Sequence, residues 1–383
     1  MTNNAHGMLL NRVEPLSDRL AAIHDNILQR MNGVERVSCA LYDPATDLLK
    51  TFINSTRNGR ALNRYEYPLA SSHSLRHLAD TGLCRVIDDI PATVSPENPH
   101  SIWLLEQGYQ SSFTVPLFSG EHLVGFAFFD SLHKGAFNDP VQRDLVLFCN
   151  LIVMAIVSEL TAVRYLLATA QAAREFVNLR DFETGAHLTR MSMLARLIAR
   201  DLAAEYQLDD EFIEHLYLFA PLHDIGKIGI PDQILLKPGP LDTQEWEIMR
   251  SHVDKGVEII QRVLGDYHLS HLVDSRMMLN VVACHHEWMD GSGYPKGLRG
   301  EDIPLEARII TVADIFDALT SKRPYKSAWP VDQALRELQR MVAAGKLDAR
   351  CVQAIITHIS EVKILIERYR DPEDSPGVGQ TAD

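Results

Sequence analysis

Leu222-His-Asp-Ile-Gly-Lys-Ile-Gly-Ile-Pro231 sets an imidazole, a carboxylate and an ammonium inside an otherwise apolar run. A charged aspartate in apolar surroundings needs a partner, and adjacent His223 and Asp224 are residue types that ligate metals. Outward from this stretch, Glu183 and His187 are four apart, so on a helix they share a face. His252 lies toward the end of a helix whose start is marked by Asp242 and Glu245, a capping-box pattern with aspartate as the cap. His285 and His286 are adjacent, and Asp314 sits in the apolar stretch Ala307-Arg-Ile-Ile-Thr-Val-Ala-Asp-Ile-Phe316. Candidate ligands drawn from so many separate segments suit a site in the core of a helix bundle.

Imidazole nitrogen and carboxylate oxygen together suit divalent iron, manganese or zinc, and the lack of thiolates argues against a structural zinc site. A carboxylate can bridge two metals, and a bridged pair can activate water at neutral pH and clamp both oxygens of a phosphoryl displacement. Single histidines are usually core or surface residues; His24, His122, His268, His271 and His358 are read that way and set aside.

The helical character that this site requires is present from about Ala170 onward. Leu188, Met191, Leu194, Ala195, Leu197 and Ile198 recur at helical spacing, as do Leu335, Leu338 and Val342, and then Ile355, Ile356 and Ile359. Before it, strand signals dominate. Val37 to Tyr42 reads as a strand running into the turn at Asp43-Pro44, with Leu49 to Asn54 as its hairpin partner. Ser112 to Phe118, Ser119-Gly120 and His122 to Phe129 read as two strands around a tight turn. Asp139 before Pro140 predicts a helix start with Asp139 as the cap, running toward Ala173.

With 383 residues, two domains and a connecting helix are expected. A 46% hydrophobic, 23% charged composition is that of a globular chain, and a net charge of −14 argues against DNA or RNA binding over a broad surface. The 5 cysteines, Cys39, Cys84, Cys149, Cys284 and Cys351, are odd in number, scattered and without CxxC spacing, which suits free thiols in a reducing compartment. The first residues, MTNNAHGMLLNRVEP, lack the pattern of a secretory signal. The most apolar segment, Leu145 to Val157, is interrupted by Asn150 and reads as too short to span a bilayer. A cytoplasmic location without membrane insertion is the expectation. Residues 371–383, rich in Pro, Gly, Asp and Glu, are expected to be disordered.

The order of strands and helices, with the stretch GYQSSFTVPLFSGEHLVGFAFFD, resembles a GAF domain, a small-ligand or signal-sensing module built on an antiparallel sheet. That resemblance covers residues 1–157 and implies an α+β fold with a small-molecule ligand that the sequence does not name. Cys39, Cys84 and His73 could in principle hold a cofactor. No ligand cluster accompanies them, so buried small thiols and a surface imidazole are the plainer reading.

His223-Asp-Ile-Gly-Lys227 resembles the HD phosphohydrolase signature. His285-His-Glu-Trp-Met-Asp-Gly-Ser-Gly-Tyr-Pro-Lys-Gly-Leu298 resembles the extended motif of HD-GYP proteins. Arg180 to His187, Ile234 to Leu241 and Asp314 to Lys326 match further family segments. The resemblance implies an all-α HD-type helical bundle over residues 176–370, joined to the first domain by a connecting helix at 158–175. It implies hydrolysis of cyclic di-GMP to pGpG, and onward to GMP in some members. Glu183, His187, His223, Asp224, His252, His285, His286 and Asp314 match the family's metal positions, with Asp224 bridging and two or three ions bound, iron or manganese first. Lys227 would approach the scissile phosphate, and Arg323 and Lys326 would hold phosphate oxygens.

In the family the loop Gly291, Gly293, Tyr294 and Pro295 is also discussed as a surface for partners, including diguanylate cyclases; its glycines suit a shaped loop. Asp181 and Asp317 are expected as supports behind the ligands, Asp317 lying one helical turn past Asp314. The expectation is therefore a sensor-effector homodimer, paired through the helix starting near Pro140. Hydrolysis of another cyclic dinucleotide such as cyclic GMP-AMP is one alternative, and a receptor or scaffold without turnover is another.

Overall fold

The computed structural model describes residues 15–31, 33–44, 46–176, 185–266, 274–321 and 328–370. Two compact units divide the chain. One holds the residues up to Thr161 with Asp209–Glu211, and the other holds Ala162–Leu208 and the residues from Phe212. The tail at 371–383 lies outside the described residues.

The first unit is built on a six-stranded sheet: β1 (Arg36–Asp43), β2 (Leu48–Thr56), β3 (Glu66–Pro68), β4 (Arg85–Ile87), β5 (Ser111–Ser119) and β6 (His122–Ser131). Its order is β3-β2-β1-β6-β5-β4, and every neighbouring pair is antiparallel. The two expected hairpins form as β1–β2 and β5–β6. Beside the sheet run α1 (Leu16–Arg30), α2 (His73–Thr81), α3 (Ile90–Thr93), α4 (Pro99–Glu106) and the long α5 (Asp139–Phe176). Strands β3 and β4 are too short to carry a periodic pattern, and nothing in the sequence marks them.

Two expectations for α5 need correction. Its cap is Asn138 rather than Asp139, because the Asn138 side chain accepts a hydrogen bond from the Val141 N–H at 3.2 Å. Asp139 and Pro140 then occupy the first turn, where a carboxylate meets the positive end of the helix dipole. The segment is also not too short: Asp139–Thr161 is 23 residues and contains an 18-residue window of mean hydropathy 1.9, long and apolar enough by length and composition to cross a membrane. Leu145, Cys149, Ile152, Ile156 and Leu160 are buried along one face, the pattern of a core-packed helix, whereas Leu147, Leu151 and Met154 on the other are exposed.

The second unit is helical. Among its described residues no strand occurs beyond a single bridge between Asp290 and Arg299. In order come α6 (Gly185–Tyr206), α7 (Asp210–Phe219), α8 (Asp232–Leu235), α9 (Thr243–Arg250), α10 (His252–Asp266), α11 (Ser275–Cys284), α12 (Leu305–Thr320), α13 (Val331–Ala343), α14 (Ala349–Thr357) and α15 (Ile359–Arg368). Helix α6 packs on α12 and α14, α11 on both α10 and α12, and α10 on the 3-10 turn Ile225–Gly229. The core joins Met191, Leu194 and Ile198 of α6 to Val281 and Val282 of α11 and Ile309, Val312 and Phe316 of α12, all fully buried. Truncating any one of these to alanine costs about 2–5 kcal/mol. Because α6, α11 and α12 are fixed against one another, the polar residues they carry at the edge of this core are fixed too.

Candidate metal centre

Each candidate ligand is placed by a different local device. His187 sits in the first turn of α6, where the helix face that buries Met191 and Leu194 also buries its ring. His223 follows a short 3-10 turn, Ala220–Leu222, and Asp224 starts the next one. His285 caps α11, His286 follows it, and Asp314 lies in α12. His252 differs from expectation. The capping box at Asp242 and Glu245 is present, but its helix α9 ends at Arg250 and His252 begins α10. The break falls at Ser251, whose N–H is shared between the carbonyls of Glu247 and Ile248 at 3.3 and 3.1 Å.

Gly226 makes the turn and α10 touch. A Cβ there would stand 1.8 Å from the His252 carbonyl oxygen and 2.5 Å from the Gly256 nitrogen, so only glycine lets the His-Asp turn lie against the start of α10. That contact brings His252 to Asp224.

The resulting cluster has two lobes. The ligand atoms of Asp224, His252, His285 and His286 all lie within 4.8 Å of one another, and so do those of His187, His223 and Asp314. Asp224 joins the lobes: Oδ1 faces His252 Nε2 at 3.1 Å and His285 Nε2 at 3.6 Å, while Oδ2 faces His223 Nε2 at 3.1 Å. The Lys227 ammonium lies 2.8 Å from the same Oδ2.

The tautomers are dictated from behind. His223 Nδ1 is 2.9 Å from the Ala220 carbonyl, His252 Nδ1 is 2.7 Å from that of Met249, and His285 Nδ1 is 3.0 Å from that of Val282. A carbonyl only accepts, so in each ring Nδ1 carries a proton, and the tautomer of the neutral imidazole then presents its Nε2 lone pair to the cluster. His187 Nδ1 donates to Asp317 Oδ2 at 2.7 Å with the same consequence. Asp317 is fully buried and also accepts from Arg190 Nε at 2.7 Å and Ser321 Oγ at 3.0 Å.

Burial lowers the pKa of His285 and takes that of His286 well below the usual imidazole value, so both are neutral. Burial opposes ionisation of Asp224, yet the Lys227 ammonium holds its carboxyl well below the usual carboxylate range. His252 Nε2, His285 Nε2 and Asp224 Oδ1 are buried and have no hydrogen-bond partner. Lone pairs of this kind, converging from neutral imidazoles and an ionised carboxylate, are what a divalent cation satisfies, so the donor set fits a metal.

The loop after His286 is shaped against the cluster. The Tyr294 ring stacks on His286 at 4.7 Å between centroids, and Arg250 lies over the same tyrosine at 5.0 Å. A Cβ on Gly293 would meet the Trp288 nitrogen at 2.3 Å and the His286 carbonyl at 2.5 Å, so the loop can fold back on His286 only with glycine there. Buried Glu287 accepts from the Lys296 and Leu298 N–H groups at 2.7 and 3.0 Å, which closes the loop. Pro295 follows Tyr294 inside that closed loop.

Glu183, Asp181, Arg323 and Lys326 lie outside the described residues. Sequence reasoning missed Arg190 and Glu287. Arg190 is three residues after His187 on one helix face, a spacing that could have flagged it; Glu287 carries no such signal, because its partners are backbone groups. In the first unit Cys39 is buried, and Cys84 and His73 are exposed.

Comparison with known proteins gives the class first: residues 172–351 match the family model described as an HD domain, so the helical unit carries that domain. The relatives are more particular. The chain is similar to the cyclic di-GMP phosphodiesterase response regulator RpfG of Xanthomonas campestris pv. campestris, with 43% identity over 203 residues, 53% of this chain and 50% of that protein. It is similar to a cyclic di-GMP phosphodiesterase of Thermotoga maritima, with 38% identity over 203 residues, 53% of this chain and 52% of that protein. A 3'3'-cGAMP-specific phosphodiesterase 2 of Vibrio cholerae shares 42% identity over 186 residues, 48% of this chain and 33% of that protein. The chain thus spans about half the length, or less, of these relatives. Among solved structures, the phycocyanobilin-bound GAF domain of a cyanobacterial phytochrome covers 38% of this chain and 86% of its own, at TM-score 0.31 and 17% identity.

Proposed function

We propose that this chain is a metal-dependent phosphodiesterase that cleaves cyclic di-GMP to pGpG and onward to GMP, under control of its N-terminal unit. One observation carries the reading: two abutting lobes of ligand atoms share Asp224, one carboxylate oxygen toward each lobe.

In this reading His252, His285 and His286 would hold one ion, His187, His223 and Asp314 would hold the next, and Asp224 would be shared between them. Glu183 would supply a third position. Iron or manganese suits the mixed imidazole and carboxylate donors. Bound there, divalent ions supply Lewis acidity toward water and toward the phosphoryl oxygens. The chain's own residues do the rest. Nδ1–H bonds fix the imidazole lone pairs, Asp224 remains ionised, and Asp317 with Arg190 keeps His187 in place. Lys227, half-buried beside Asp224, is positioned to stabilise charge growing on the phosphate. Arg323 and Lys326 complete the phosphate contacts.

A second substrate, 3'3'-cGAMP, is favoured by the similarity to the Vibrio cholerae enzyme specific for it. The loop at Gly293, Tyr294 and Pro295 remains the proposed surface for a diguanylate cyclase. A homodimer through α5 is supported by Leu147, Leu151 and Met154, 64%, 53% and 68% exposed, at the four-three spacing that suits helix pairing. The free cysteines Cys39, Cys84, Cys149, Cys284 and Cys351 suit a cytoplasmic setting. The test is chromatography of cyclic di-GMP and 3'3'-cGAMP, in competition, after incubation with protein loaded anaerobically with Fe(II) or Mn(II). Linear product is expected; saturable binding without product would make the chain a receptor instead.

A further inference from the structure

The sheet of the N-terminal unit carries a cavity that plays no part in the metal chemistry. It encloses about 590 Å³, counting the mouth that opens to solvent. Arg36 and Ser38, 2% and 4% exposed, both line it. They are two apart on β1 and so point to one face of the sheet. The register sets Asp130 opposite Arg36 and Phe128 opposite Ser38 on β6. Arg36 Nη1 donates to Asp130 Oδ2 at 2.5 Å, and its guanidinium lies 4.7 Å from the Trp103 ring centroid. The Arg36 Nε and the Ser38 Oγ are buried with no hydrogen-bond partner. A folded chain rarely leaves two such donors unpaired at one place unless something else binds there.

The charge around the cavity points to the sign of the ligand. Arg85, on β4 of the same sheet, donates through Nη2 to Thr114 at 3.1 Å, and its Nε is likewise without a partner. Two guanidinium groups thus stand near the single carboxylate of Asp130, and no residue lining the cavity is acidic. One surplus positive charge suits a monoanion. The remaining wall is aromatic. Tyr65 stacks on Tyr67 and on His100, each at 6.1 Å, and His100 meets Phe128 at 6.0 Å. Burial, with Arg36 beside it, pushes His100 down to about 4, so it adds no charge at neutral pH. Cys39 also lines the cavity, but burial pushes its thiol up to about 12, which removes it as a nucleophilic anchor.

We propose that this cavity binds a small planar carboxylate, its ring against Tyr65, Tyr67 and His100 and its oxygens on Arg36 Nε and Ser38 Oγ. Two donors and one surplus charge match the two oxygens and single charge of a carboxylate, whereas a phosphate dianion would exceed both.

The full chain is titrated with benzoate, with benzamide as its neutral isostere and with benzamidine as its cationic one, by calorimetry and by tryptophan emission. Trp103 is the local reporter through its contact with Arg36 and its stacking on His100 at 6.3 Å. Benzoate is expected to bind saturably, benzamide about 10–100-fold more weakly, and benzamidine not at all. The emission change should vanish in Trp103→Phe. Ser38→Ala, which leaves the Arg36–Asp130 pair intact, should weaken benzoate about tenfold without lowering the melting temperature. Absence of saturable benzoate binding, equal affinity for benzoate and benzamide, or unchanged affinity in Ser38→Ala would each overturn the proposal. None of these outcomes depends on turnover at the metal centre.

Discussion

Replacing Asp317 with asparagine removes one negative charge from a fully buried position that accepts hydrogen bonds from His187, Arg190 and Ser321. Asparagine keeps the shape and one acceptor but removes the Asp317 charge from beside the Arg190 guanidinium. Removing one partner of a buried pair costs about 3–5 kcal/mol. The retained acceptor places this variant at the low end, about 3 kcal/mol. For a unit of this size that corresponds to a fall of roughly 6–12 °C in melting temperature. The same change frees the His187 tautomer, and losing a partner of this kind weakens metal binding by about 10–100-fold.

The pH dependence has a definite sign. Burial opposes the charge on Asp317, but hydrogen bonds from His187 and Arg190 hold its carboxyl below the usual range. Its stabilisation is therefore complete above the unfolded carboxylate value of about 3.9 and is lost as pH falls through the lower folded value. The gap between wild type and variant should be full at neutral pH and close in acid. Thermal melting of the metal-free protein by circular dichroism, with metal affinity by chelator competition, measures both effects. An Asp317→Asn protein with wild-type melting and wild-type metal affinity would show that Asp317 supports neither the fold nor His187.

Three further outcomes are expected. Gly226→Ala puts a methyl group 1.8 Å from the His252 carbonyl, where backbone has to move; it should cost about 3 kcal/mol or more and lower the metal content measured by mass spectrometry. Tyr294→Phe should keep metal content and activity because the stack on His286 survives, whereas Tyr294→Ala should weaken both, read as metal stoichiometry and initial rate. Lys227→Ala should bind the wild-type complement of metal yet lose about 10²–10³ in kcat, the usual consequence of removing one charge-stabilising group.

Much of the helical unit was legible because its apolar residues repeat at helical spacing and its chemistry sits in adjacent pairs, His223-Asp224 and His285-His286. The two central hairpins were legible for the same reason, each having long apolar strands around a short turn. Strands β3 and β4 were not, since three residues cannot establish a period. The start of α10 at His252 was not legible because a capping box fixes where a helix begins and says nothing of where it breaks, here at Ser251. Arg190 and Glu287 act on groups distant in sequence, Asp317 and the loop N–H groups of Lys296 and Leu298, and only the fold brings them together. The buried Arg36 belongs to the same class, its partner Asp130 being set by strand register.

The central claim is a shared carboxylate joining two metal positions, and anaerobic metal analysis paired with the cleavage assay tests it most directly. At least about two transition-metal ions per chain, linear product from cyclic di-GMP, and loss of both in Asp224→Ala are expected. Full metal content retained by Asp224→Ala, or metal-replete wild type that yields no linear product from either cyclic dinucleotide, would contradict it.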